Sequence, residues 1–334
     1  MHFKLKARIN HSDARTIQKT LDKLAAKGDV KKVGNEFAVY AEIEGTSAEE
    51  LNKTLLSALK SVRKRTKLRA EWTSDGGITQ TYFDALLILE NFKFFALQYL
   101  NDWYEKDRGF IAELSSTTST KEVRLRCLEE AAQYYGVLRN FGGVAEKGLD
   151  AAFTMLENAA QTVTLQSVVA VVSKLATDFE STYPREDGKE KVSAASKFLW
   201  IRCQSPIVIR DTNAFACLRA ASCGRLPESD YAAYCREWRR QFSKRKARIR
   251  AACAELVRVR DFSLAKDMTD EELKSIVGSR WFHERVFDKC LWWNGERILR
   301  ARKAAASRRT NRLIPNRHHD RGCGSVGGTD HVED

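Results

Sequence analysis

The period of the apolar residues changes once along this chain, near residue 79, and that change limits what it can fold into. Residues 2 to 9, "HFKLKARI", put Phe3, Leu5, Ala7 and Ile9 on one face and His2, Lys4, Lys6 and Arg8 on the other, the pattern of a half-buried strand. "HSDARTIQKTLDKLAAKGD" then carries Ile17, Leu21 and Leu24 at helical spacing, with Gly28 as the predicted stop. "VKKV" and "EFAVYAEIE" read as strands turned at Gly34-Asn35, and "AEELNKTLLSALKSVRKR" as a helix with Ser47 and Glu50 in capping-box relation. "TKLRAEW" closes the series as a strand. The order βαββαβ predicts a ferredoxin-like domain over residues 1–75.

From Thr79 the apolar stripes take helical spacing and strand-like alternation stops. This predicts a larger all-α domain over residues 79–300, with helices near 79–107, 119–140, 146–182, 189–203, 212–222, 228–258 and 270–300. "YPREDGKE" is a polar loop between two of them. Residues 301–334 begin basic, end rich in glycine and polar residues, and are predicted to form a disordered tail. The fold class is α+β, and 334 residues with 43% hydrophobic composition suffice for two cores.

A net charge of +13 favours an acidic partner such as nucleic acid, an anionic membrane or an acidic protein. "YFDALLILENFKFFALQYL", the most apolar stretch, holds Asp84, Glu90 and Lys93, which argues against a membrane span. Eight cysteines without a C-x-x-C pair read as reduced thiols of a cytoplasmic protein. Only His11 and His283 lie away from the chain ends, so a histidine-rich metal site is not expected. "WFHERVF" lacks the second histidine of a zinc helix, and His283 is assigned to packing. No cofactor is called for.

Two surfaces could meet phosphate. The exposed face of the N-terminal sheet should present Lys4, Lys6, Arg8, Tyr40, Lys67 and Arg69, a basic face with an aromatic of the kind that holds single strands. In "YAAYCREWRRQFSKRKARIRAACAEL", Tyr231, Tyr234, Trp238, Phe242, Ile249, Cys253 and Leu256 form one stripe, while Arg236, Arg240, Lys244 and Arg250 project from it as a cationic ridge. Arg210 adds a cation to the following segment. A solvated helix face is the plainer account of such a run.

"SAASKFLWIRCQSPIVIRDTNAFACL" raises a different possibility. Ala194, Phe198 and Ile201 would face the core with Lys197 at the stripe's edge, where a cation suits a helix C-terminal half, and Asp211 would cap the next helix. Phe198 and Trp200 read as core. The stretch also resembles the core signature of the helix-hairpin-helix DNA glycosylases, with "SAASK" ending at Lys197 and "PIVIRDTNAFACLRA" supplying Asp211-Thr212-Asn213. This resemblance, over about 30 residues, implies Lys197 as a Schiff-base nucleophile and Asp211 as its electrostatic partner.

Three readings follow: a DNA glycosylase or lyase-like enzyme, a non-catalytic nucleic-acid-binding regulatory or antiviral-defence component, and an interaction module for an acidic protein. Nucleic acid is the expected partner, DNA ahead of RNA. The enzyme reading requires Lys197 and Asp211 to converge in a cleft that faces the basic ridge.

Overall fold

The computed structural model of the protein describes residues 1–24, 26–83, 86–185, 191–222 and 224–313. An antiparallel sheet of six strands is followed by a larger helical part, an α+β arrangement. β1 (His2–Asn10), α1 (Ala14–Lys23), β2 (Lys27–Val33), β3 (Glu36–Glu44), α2 (Ala48–Val62) and β4 (Lys67–Ser74) follow the expected order. Alternation decides β1: Phe3, Leu5, Ala7 and Ile9 are buried, while Lys4, Lys6 and Arg8 are exposed. The buried face packs with Ile17, Leu21, Leu55 and Leu59 around Trp72, whose indole N–H donates to Asn52 Oδ1 at 3.1 Å. Gly34 turns the β2–β3 hairpin at φ +60°, and Ser47 Oγ accepts from the Glu50 N–H at the start of α2. Gly28 does not stop a helix. It lies inside β2, where a Cβ would fall 2.3 Å from Tyr40 O, so β3 approaches too closely for any larger residue.

The helix expected from Thr79 begins instead at Phe92. Thr79–Phe83 forms β5 and Leu86–Leu89 forms β6, giving the strand order β2-β3-β1-β4-β5-β6. Gly77, at φ +74°, turns the chain back along the open edge of β4, where the Thr73 and Thr79 hydroxyls meet at 3.0 Å. A β-branched and aromatic run, "TQTYF", lying beside an unpaired strand edge completes that edge instead of coiling.

α3 (Phe92–Asp102) passes through one π-helical turn, Trp103–Asp107, into α4 (Arg108–Ser115). α5 (Lys121–Tyr134), α6 (Val144–Lys147), α7 (Asp150–Ala160), α8 (Val168–Thr182), α9 (Val192–Cys203), α10 (Thr212–Ala221), α11 (Tyr231–Ala254), α12 (Asp270–Gly278) and α13 (Arg280–Leu313) complete the helical part. The span expected as one helix over 146–182 is thus divided, and that over 270–300 breaks at Ser279. The basic stretch 301–313 is not tail: its alanines, arginines and lysines favour helix and extend α13. Residues 314–334, and most of the "YPREDGKE" loop, lie outside the described residues. No helix among the described residues is long and apolar enough to cross a membrane.

α9 corrects the expected amphipathic stripe. Val192 and every residue from Ala194 to Ile201 are buried, because α4, α5, α7 and α8 pack around it. Lys197 therefore stands in the middle of a central helix and not at an exposed C-terminal edge, and the helix-dipole account of it does not apply.

Sheet and helices are joined at β6. Asn294 of α13, with no exposed surface, accepts from Leu89 N–H at 2.8 Å and donates to Leu89 C=O at 2.8 Å, taking the place of a seventh strand. One residue on, Glu90 receives Arg245 and Arg248 of α11. Asn294→Ala removes the side-chain partner of the part-buried Leu89 N–H and leaves Leu89 C=O with only the Cys290 thiol at 3.6 Å, and a buried group left unpaired costs about 1–3 kcal/mol. Urea unfolding of that variant is expected to lose about 1–3 kcal/mol. A loss below about 0.5 kcal/mol would mean that water replaces the amide at this joint.

Candidate active site and basic groove

Lys197 and Asp211 meet. Lys197 Nζ donates to Asp211 Oδ2 at 3.1 Å and to Tyr135 C=O at 3.4 Å, and only 9% of the residue is exposed. Asp211 also caps α10 through its other oxygen, which accepts from Asn213 N–H at 2.8 Å. The two oxygens divide the work, so Asp211 is both the helix cap and the ion-pair partner. Ser193–Lys197, the segment matched to the glycosylase hairpin, lies within α9.

The pair opens on a cavity of about 330 Å³, the size range of a small-molecule site. Its other walls come from residues the sequence did not single out. Tyr99 and Asp102 arrive from α3, Asp107 from the π-helical turn, Tyr134 from the end of α5 and Tyr135 from its C-cap, and Arg285, Asp288, Lys289 and Trp292 from α13. In a regular α-helix Asp102 and Asp107 would point about 140° apart, and the wider turn lets both reach the cavity. A signal for α13 was present in the sequence: residues 285, 288, 289 and 292 form an i, i+3, i+4, i+7 face that is charged where neighbouring faces are apolar.

Charge in the cavity is nearly balanced by pairs. Lys197 is matched by Asp211, Arg285 by Asp288 at 3.2 Å, and Lys289 by Asp102. Asp107 has no cation of its own and is held by the hydroxyls of Tyr99 at 3.2 Å and Tyr135 at 2.7 Å. Burial raises its pKa, against the pull of Arg285 and the two hydroxyls. Burial likewise pushes the Asp288 carboxyl up to about 7, although Arg285 and the Trp238 indole N–H, 2.7 Å from Oδ1, favour the charged form. Arg285 lies over the Trp200 ring at 4.6 Å, and its Nε has no hydrogen-bond partner among the described residues.

The residues assigned to nucleic acid separate into two groups. Lys6, Arg8, Tyr40 and Arg69 on the outer sheet face meet Arg240 and Lys244 of α11 across a groove of about 590 Å³. A continuation shares Arg8, Arg69 and Arg240 and adds Arg236. Lys4 and Lys67 occupy the expected sheet face but not this groove, and Lys4 lies 3.8 Å from Glu42. Arg250 lines neither part. Arg210 stacks on the Phe215 ring at 5.0 Å and donates to the Glu228 carbonyl. The ridge is also less free of acids than its sequence suggests: Arg240 pairs with Glu237 at 2.6 Å, and Glu90 holds Arg245 and Arg248.

The cleft that holds Lys197 does not face this ridge. It takes Asp211 and Ala214 from the N-terminal end of α10, whereas the groove takes Ala221 and Ser222 from the C-terminal end, and the two share no lining residue. No group of side chains suited to a metal ion occurs among the described residues, and the six described cysteines are free. His283 is buried in α13, and burial lowers its pKa, in line with a packing role.

The Asp288 carboxyl keeps its proton to about pH 7 when folded, and an unfolded aspartate loses it near about pH 4. Between those values the unfolded chain binds fewer protons, so stability falls as pH rises from about 4 to about 7. Denaturation midpoints across that window should fall less steeply for Asp288→Asn than for the wild type. Parallel lines would show Asp288 ionised throughout. No protein-family model, curated protein or solved structure matches the chain.

Proposed function

We propose that the protein is a DNA-processing enzyme of the glycosylase and lyase type, with Lys197 as nucleophile and Asp211 as its electrostatic partner. One observation carries this reading. A nearly buried lysine in the middle of a central helix has its amine 3.1 Å from a carboxylate at the wall of an aromatic-lined cavity. A structural ion pair has no need of the cavity, and a helix cap has no need of the lysine.

The chemistry follows from the pair. A nucleotide whose base is turned out of the duplex enters the cavity, where Tyr134, Tyr135 and Trp292 offer ring surfaces to the base. The amine attacks in its neutral form, so a proton leaves Lys197, and Asp211 Oδ2 is the carboxylate oxygen within reach. The lysine nitrogen bonds to the sugar carbon C1′ as the bond from C1′ to the base breaks. The bonding pair leaves with the base, which takes up the proton. Asp211, again a carboxylate, then faces the positive charge on the alkylated nitrogen; as the C1′–O4′ bond breaks, its pair goes to O4′, which takes a proton from that nitrogen, and a protonated imine is left between Lys197 and C1′.

One expectation of this reading is not met, since the cleft does not face the basic ridge and the ridge does not present DNA to Lys197; two coarser features agree with it. The first four strands and two helices support a ferredoxin-like core extended by β5 and β6. The six free cysteines support a reducing compartment such as the cytoplasm.

Borohydride reduction of the protein with DNA containing damaged, modified or abasic sites tests the chemistry. A covalent adduct is expected from the wild type and none from Lys197→Ala. Asp211→Asn retains the cap of α10 and loses the charge, so single-turnover cleavage should fall by about 100-fold or more while α10 stays folded. Absence of an adduct on every substrate would overturn the assignment.

A further inference from the structure

The outer face of the sheet concentrates like charge where the fold gives no reason for it. Arg8 and Arg69 are direct cross-strand partners on β1 and β4, an arrangement that destabilises a sheet. Arg240 and Lys244 approach the same place from α11. The groove is lined by seven cations (Lys6, Arg8, Arg69, Arg240, Lys244, Arg245 and Arg248) against two carboxylates, Glu71 and Glu90. Glu90 is taken up by Arg245 and Arg248, and Glu71 by Arg69 at 3.2 Å. Lys6, Arg8 and Lys244 make no ion pair among the described residues. Burial and the cations of Arg240 and Arg69 lower the Lys244 pKa, the response of an amine crowded by its own kind.

Beside these cations stands an exposed aromatic ring. Tyr40 is 48% exposed, lies opposite Lys6 in the β1–β3 register, and has the Lys6 amine 5.8 Å from its ring centre. An acidic protein surface would satisfy the cations and leave the ring idle. A nucleic-acid strand with unpaired bases uses both, because phosphates follow the cations while a base stacks on the ring. We infer that the groove between the outer sheet face and α11 is a second nucleic-acid site, one that holds a single strand by Lys6, Arg8, Arg240 and Lys244 and stacks a base on Tyr40. The inference rests on nucleic acid being the substrate, as proposed above, but not on Lys197 chemistry. The site lies at the opposite end of α10 from the Lys197 cavity.

Fluorescence anisotropy with a labelled single-stranded DNA of mixed sequence tests it, on the full chain at several salt concentrations. Arg8→Gln with Lys244→Gln should weaken binding by about tenfold or more at low salt and reduce the slope of log K against log salt by about one for each cation removed. Tyr40→Leu should weaken the single strand by about tenfold and a blunt duplex hardly at all. The Arg8, Lys244 and Tyr40 side chains are on the surface, and unchanged melting temperatures will show that the fold is intact. Equal binding by wild type and the groove variants, or no binding of the single strand, overturns the inference. So does displacement of the DNA by polyglutamate at matched charge, which would assign the groove to an acidic protein. Groove-dependent binding without a borohydride adduct would remove the Lys197 chemistry and leave the groove. An adduct with unchanged binding in the groove variants would do the reverse.

Discussion

The molecule depends on a single side-chain amide at the edge of its sheet. β6 ends the sheet with the part-buried Leu89 backbone turned to α13, and Asn294 supplies one acceptor and one donor to it at 2.8 Å each. α13 is thereby fixed against the sheet. The next residue, Gly295, fixes it against α10: a Cβ there would fall 1.7 Å from Asn213 O, so the two backbones touch. Asn213 is the residue whose N–H Asp211 caps. Two consecutive residues of α13 thus connect the sheet edge to the start of the helix that carries the candidate carboxylate, while Arg285, Asp288, Lys289 and Trp292 earlier on α13 reach the same cavity.

Within the cavity, pairing and burial act against each other. An isolated buried charge is costly, and three of the four acids have a cation beside them, but neither Arg285 nor the Trp238 indole fully offsets burial at Asp288. Asp107 has only hydroxyl donors, and burial raises it too. Burial thus leaves Asp288 able to hold or give up a proton near neutral pH.

Much of this was legible where the physics is local. Alternation placed Lys4, Lys6 and Arg8 outward, Gly34 marked its hairpin, Ser47 its cap and Asp211 the start of α10. What escaped was set by partners distant in sequence. β5 and β6 are strands because β4 offers an open edge, and nothing within "TQTYF" states where that edge is. α9 looked one-sided because Lys197 and Ser196 are polar, yet both are buried: Lys197 finds Asp211, and Ser196 Oγ accepts from Arg210 N–H at 3.1 Å. The cations of α11 read as one ridge from Arg236 to Arg250, with a solvated face as the plainer account. Glu90, 155 residues before Arg245, splits it, drawing Arg245 and Arg248 inward and leaving Lys244 in the groove.

The placement of Lys197 also explains why its partner has to be Asp211 and not a carboxylate elsewhere on the wall. The N-terminal end of α10 carries the partial positive charge of its unpaired N–H groups, which favours an anion there and disfavours a second cation. Asp211 stands between that end and the lysine, with one oxygen on Asn213 N–H and the other on Nζ. Its charge is fixed by the helix on one side and available to the amine on the other. A carboxylate off the helix axis would have to be held by some other donor, as Asp107 is by two tyrosines, and would give up to that donor part of the charge it could offer to a developing cation. Capping and chemistry are therefore not rival accounts of Asp211: the cap holds the carboxylate in the position where the amine can use it.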